Sequence, residues 1–206
     1  PLMVQSWRQA WGQGDFSFYW TQLADFRPES IVPNDSSWAE LRESQTICLR
    51  KLNHTGEAVI IDTGEGRDIH PRNKQTVANR LLRHALAKDY GQKIPYESPK
   101  YKSMEIKGSK IIINFNHAGA GLYCFDSKAP TGFAICGEDQ KFAWASAKLI
   151  GKDRVEVWAD SITAPIAVRY AWADNPVCNL YLRDGGVTLP VTPFRTDSFP
   201  LTTMGK

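Results

Sequence analysis

The sequence predicts an α/β fold, with part of a layered, helix-flanked sheet over residues 1–93 and a small antiparallel β domain over residues 94–206. Strand-like and helix-like segments alternate as far as Gly91. From Ile94 the pattern changes to short strands at regular intervals, separated by Gly and Asp turns. The chain has 206 residues, 42% of them hydrophobic, which is enough to bury a substantial core.

The first segment, Leu2 to Trp11, places Met3, Trp7, Ala10 and Trp11 on one side of a helix that Gly12 and Gly14 end. Phe16 to Ala24 is aromatic and almost continuously apolar, the pattern of a strand buried on both faces of a parallel sheet. Ser37-Trp38-Ala39-Glu40 has capping-box spacing and predicts a helix to about Leu49. Asn53-His54-Thr55-Gly56 then turns the chain into a second buried strand, Ala58 to Ile61. Pro71 suits a first helical position, and Val77, Leu81 and Ala85 repeat every four residues. Together they predict a helix of about 20 residues that Gly91 terminates.

In the second half, strands are expected at Ser103–Lys107, Lys110–Phe115, Phe142–Leu149, Val155–Trp158 and Ala167–Ala173, with Gly132–Gly137 as a further strand with flexible ends. Lys107-Gly108-Ser109-Lys110 and Gly151-Lys152-Asp153-Arg154 read as hairpin turns.

Composition narrows the function. A formal charge of +3 is spread over 25 basic and 22 acidic residues without a Lys/Arg block, which argues against nucleic acid as a partner. No apolar run reaches the roughly 20 residues needed to cross a bilayer, and no leader pattern opens the chain. Cys48, Cys124, Cys136 and Cys178 lack zinc-site spacing. They are read either as buried thiols or as including a Cys124–Cys136 disulfide. Asn34-Asp35-Ser36 and Asn53-His54-Thr55 match the glycosylation sequon, a pattern that chance also produces.

The loop Thr63-Gly64-Glu65-Gly66-Arg67-Asp68-Ile69-His70-Pro71 joins the second strand to the long helix, beyond a strand's carboxyl end where α/β sheets bind ligands. An imidazole there can act as general base if a carboxylate holds its tautomer. Asp68, Glu65 and Asp62 are all near enough in sequence to do so. His70 and Asp68 could equally be a helix-start residue and a loop carboxylate. Gln22, near the first strand's end, either faces substrate or is a buried amide. His54 and His117 read as turn residues. Trp144, Trp158 and Trp172 are candidates for stacking on a sugar ring, although strands routinely bury tryptophan.

Several stretches resemble the sialate O-acetylesterase family, a branch of the SGNH hydrolases: WRQAWGQGDFSFYWTQLADF, WAELRESQ, NHTGEAVIIDTGEGRDIHPRNKQTVANRLLRHALAKDYG, FAICGEDQKFAWASAKLIGKDRVEVW, IAVRYAWADNPVCNLY and PFRTD. The resemblance runs from Pro1 to about Arg195 and corresponds to the family's C-terminal portion. It implies part of an SGNH-type three-layer sheet with an appended β region, and hydrolysis of a sugar O-acetyl ester with no metal or organic cofactor.

By the same resemblance His70 is the base. SGNH enzymes commonly carry the acid three residues before the histidine, where this chain has Arg67, so Asp68 is the first candidate and Asp62 the second. Gln22 and Arg67 are candidate substrate contacts, with Arg27 and Arg72 as further cations for a sugar carboxylate. No serine-block motif of the GxSN kind occurs in the 206 residues. The resemblance therefore implies that a preceding segment supplies the nucleophile and is this chain's partner, along with an acetylated glycan. Acetylated xylan, or a non-catalytic carbohydrate-binding or assembly role, are the alternatives. The implied compartment is extracellular, periplasmic or lysosome-like.

Overall fold

The computed structural model describes residues 1–183 and 188–204. It is a mixed α/β structure. Helix α1 (Leu2–Trp11) precedes β1 (Phe18–Thr21), and α2 (Ser37–Cys48) precedes β2 (Thr55–Ala58). After β2 come α3 (Lys74–Lys88) and a series of short strands. β1 and β2 run parallel, with Phe18 opposite Thr55 and Thr21 opposite Ala58.

The predicted strand at Ala58–Ile61 forms three residues earlier, at Thr55–Ala58. Ladder pairing with β1 ends at Ala58, whose carbonyl accepts the Gln22 N–H. Val59, Ile60 and Ile61 stay buried outside the strand. β1 itself is half-buried along its whole length, less than the apolar run predicted, because β2 is its one ladder partner among the described residues.

Two helix starts also differ from expectation. The N-cap of α2 is Ser36, not Ser37, and its hydroxyl accepts the Ala39 N–H at 3.0 Å. Glu40 is therefore released from a capping box. Its buried carboxylate instead accepts hydrogen bonds from the N–H and hydroxyl groups of Thr202 and Thr203, which tie down the far end of the chain. α3 begins at Lys74 with Asn73 as N-cap, three residues past Pro71, and runs for 15 residues. Val77 and Leu81 cover a small cluster of Ala24, Ala58 and Ile60, while Arg80 and His84 are its buried residues.

β3 (Lys100–Lys107), β4 (Lys110–Asn116), β8 (Ser146–Ile150) and β9 (Arg154–Trp158) form one antiparallel sheet ordered β3-β4-β9-β8. Its two hairpins turn at Gly108 and Gly151, both at positive φ as the turn chemistry predicts. β6 (Phe133–Cys136), β7 (Ala143–Trp144), β10 (Ala167–Tyr170) and β13 (Phe194–Arg195) form a second, ordered β13-β10-β6-β7. β5 (Leu122–Cys124), β11 (Leu180–Leu182) and β12 (Leu189–Pro190) form a third.

The main hydrophobic cluster joins these sheets, and Val59 and Ile61 enter it from the first half of the chain. All four cysteines are free thiols. Cys124 and Cys136 sit in different sheets, on β5 and β6, so of the two alternatives left by the sequence the thiols hold and the disulfide does not form. No helix among the described residues is long and apolar enough to cross a membrane.

Buried cations do much of the joining. Arg42, on α2, is fully buried and donates to four main-chain carbonyls: Leu23 at 2.8 Å, Ala24 at 2.8 Å, Ala173 at 2.6 Å and Asp174 at 2.8 Å. It thereby fastens the segment after β1 to the segment after β10. Replacing Arg42 by Met should destabilise the fold by about 3–5 kcal/mol, since the buried carbonyls lose their donors. Urea denaturation checks this, and a loss below about 1 kcal/mol would contradict it.

His84 gives a second expectation. Its ring is buried between Tyr19 and Tyr96, and Gly56 leaves room for it, since a Cβ there would lie 2.4 Å from Nδ1. Burial pushes the imidazole down from 6.5 to about 4. The unfolded chain binds the proton in that window while the folded chain does not. Stability is thus complete above about pH 6.5 and falls as pH drops toward 4, by about 3 kcal/mol from this group. In His84→Gln, the difference between urea midpoints at about pH 7 and about pH 4.5 should shrink. An unchanged difference would assign the acid sensitivity elsewhere.

Candidate active site

The loop after β2 is built against the segment after β1. Asp25 is buried, and its Oδ1 accepts the Gly64 N–H at 2.6 Å. Burial raises the Asp25 carboxyl above its ordinary range, against the opposing effects of that hydrogen bond and of Arg42. Gly64 is required here by proximity: a Cβ would lie 2.1 Å from the Asp25 carbonyl oxygen. Two residues on, the Gly66 carbonyl accepts the Arg27 N–H at 3.1 Å, and the Asn175 side chain donates to the Arg27 carbonyl at 2.8 Å. A turn closed by Asp68 N–H to Glu65 O at 3.0 Å then presents His70.

His70 and Asp68 meet. Asp68 Oδ1 accepts the His70 N–H at 2.9 Å and lies 3.0 Å from the ring Nδ1. The backbone N–H of His70, followed by its ring, holds the Asp68 carboxyl below its ordinary range. The His70 side chain is 81% exposed, so Nε2 faces outward. With Nδ1–H bonded to the carboxylate, Nε2 carries the lone pair and can take a proton.

Asp62, the alternative acid, is occupied elsewhere. It holds Arg80 through two contacts, at 2.5 Å and 2.7 Å, and accepts from the Tyr181 hydroxyl at 3.2 Å. Arg80 also donates to the carbonyls of Val59 and Thr188, so this pair is a structural tie between α3, the segment after β2 and the start of β12.

Glu65 pairs with Arg72 at 3.0 Å. Arg67 is exposed at the loop's outer edge. Gln22 is buried at 1% exposure, donating to Thr46 Oγ1 at 3.0 Å, with Glu57 Oε2 at 3.5 Å. It sits inside the fold and does not line an opening. Arg27 is bound to Asp174 at 2.9 Å. Among the tryptophans, Trp144 is 44% exposed and lines a cavity with the largely buried Trp172, whereas Trp158 lies under the Lys110 ammonium. His117 contacts Glu97 at 2.6 Å.

Asp25, Gly64 and Asn175 position the loop, and of these only Gly64 lies in a segment that the sequence singles out. Asp25 directly follows the apolar run Phe16–Ala24 and is 45 residues from His70, and Asn175 is 105 residues from it, so no local spacing relates them. Among the described residues, no group of three or more His, Cys, Asp or Glu side chains could hold a metal ion.

Sialate O-acetylesterases of Mus musculus and Homo sapiens are each 30% identical to the chain over 94% of its length. A carbohydrate acetylesterase from Xanthomonas citri superposes with a TM-score of 0.85 at 42% identity, over 96% of the chain. The chain is a homologue of the sialate O-acetylesterases. It spans 39% of the mouse relative, 41% of the human one and 45% of the Xanthomonas citri structure. No protein-family model matches the sequence. In this sialate O-acetylesterase homologue, Gly64→Ala should lower stability by about 2 kcal/mol, because the new methyl must displace backbone. Denaturation midpoints, with amide exchange across residues 64–70, check this. Unchanged exchange there would mean that the loop does not depend on the contact.

Proposed function

We propose that this chain supplies the histidine and acid of a carbohydrate O-acetylesterase, with the nucleophilic serine on a segment outside these 206 residues. The observation that carries the reading is the His70–Asp68 pair, 3.0 Å apart with the imidazole open to solvent. Homology to acetylesterases over nearly all of the chain supports it. In this reading residues 1–93 form part of an SGNH-type three-layer domain, and residues 94–206 are the appended β region.

The serine hydroxyl attacks the acetyl carbonyl while His70 Nε2 takes its proton, and Asp68 holds the ring and stabilises the imidazolium. The tetrahedral intermediate collapses as His70 returns the proton to the departing sugar hydroxyl. Water, activated by the same imidazole, then releases acetate from the acyl-enzyme. The exposed faces of Met3, Trp7 and Trp11 on α1 form an apolar seam that suits packing of the serine-bearing segment.

The 206-residue chain by itself should not hydrolyse 4-nitrophenyl acetate above background. Turnover abolished by His70→Ala in that chain would overturn the assignment of the serine to another segment. In the longer protein, His70→Ala should lower kcat by about 10³-fold or more, and Asp68→Asn by a smaller factor. If Asp62→Asn removed activity at unchanged stability while Asp68→Asn did not, the acid would have to be reassigned.

A further inference from the structure

Two cavities open side by side, and Asn175, in the wall of one of them, lies against Gly66 of the His70 loop. One, of about 140 Å³, is lined by Phe142, Trp144, Trp172, Arg169 and Gln140. The other, of about 270 Å³, is lined by Glu29, Ser30, Asp174 and Asn175. Asn34 and Asp35 belong to both, so they meet along a common wall. Asn175 connects this groove to the catalytic loop, because it bonds the Arg27 carbonyl while the Arg27 N–H bonds Gly66.

The aromatic end is rigidly held. Trp144 lies on the edge strand β7, and its Nε1 donates to the Ile31 carbonyl at 2.9 Å, which fixes the indole in place. The Arg169 guanidinium lies 4.2 Å from the Phe142 ring centroid and 5.3 Å from that of Trp172. Flat aromatic surfaces with polar groups at their margins suit the apolar faces and equatorial hydroxyls of a pyranose.

Charge decides which sugars fit. Arg169, the one cation lining the two cavities among the described residues, already serves two carboxylates. Asp197 grips it at 2.9 Å and 3.1 Å, and Asp35 at 3.1 Å, while Arg195 behind Trp172 is itself held by Asp197 at 3.2 Å and Glu43 at 3.0 Å. Asp174 is matched by Arg27. Glu29 adds a further negative charge to the wall. A carboxylated sugar would meet surplus negative charge and a guanidinium with no free fork to offer it.

Resting on the esterase reading above, the geometry points to this groove as a subsite for an uncharged glycan chain. Neutral pyranose units lie along Trp144, with the buried Trp172 in the wall beneath them, while an O-acetyl group reaches His70, and sugars bearing a carboxylate are disfavoured.

Calorimetric titration of the full-length protein tests this with an unacetylated neutral oligosaccharide and with free sialic acid. The neutral chain should bind at least about tenfold more tightly, and Trp144→Ala should weaken it about tenfold. Trp144→Phe should recover part of that loss. Asp35→Asn, which frees one side of Arg169, should narrow the gap between the two ligands severalfold. Equal binding by Trp144→Ala, or tighter binding of sialic acid by the unaltered protein, overturns the assignment. Hydrolysis of 4-nitrophenyl acetate is read separately. Its absence removes the esterase reading and leaves the binding result to judge the groove.

Discussion

The buried guanidinium of Arg42 is the contact on which the His70 loop rests. Its planar fork reaches four main-chain carbonyls, two following β1 and two following β10, and a lysine could not bridge such a span. From there the support runs outward in steps. Asp25, one residue beyond the clamped Ala24, anchors Gly64. Asp174, also clamped, has its side chain on Arg27 and Ser36, and Arg27 holds Gly66. His70 is thus an exposed ring on a loop whose base is fastened to the interior. That suits a proton carrier, which has to be accessible to a substrate and fixed in orientation at the same time.

The same device recurs. Arg80 joins Asp62 to the carbonyls of Val59 and Thr188, and Arg169 joins Asp197 and Asp35 beneath the aromatic cavity. Each buried cation has carboxylates or carbonyls placed to satisfy it, the condition under which such groups are tolerated inside a protein. Each also spans long sequence separations, so the α/β part and the β sheets are held by polar ties as well as by the shared hydrophobic cluster.

These ties explain how far the residues could be read in order. The alternation of elements, the Gly108 and Gly151 turns and the His70-Asp68 spacing are local properties, and the structure contains each of them. Boundaries were harder to read. Val59 to Ile61 have strand-forming side chains, but pairing ends where the partner strand ends. Ser37 and Ser36 are equivalent in composition, and the cap went to the residue whose hydroxyl also meets Asp174. Arg42, Arg80 and Arg169 look like solvent-facing helix or strand residues in the sequence. Only the folded chain brings carbonyls and carboxylates from more than a hundred residues away to bury them.

By itself, then, the amino-acid sequence determined the mixed α/β class, the loop that carries the imidazole and a short set of carboxylates near enough to orient it. These depend on periodicity, turn chemistry and short spacings, which act within a few residues. The tertiary structure decided that Asp62 belongs to Arg80, that Gln22 is interior, that the cysteines remain thiols and that Trp144 and Trp172 share one cavity. Each of those outcomes depends on which distant groups come within hydrogen-bonding or contact distance, and that is fixed only when the sheets and helices close around a common interior.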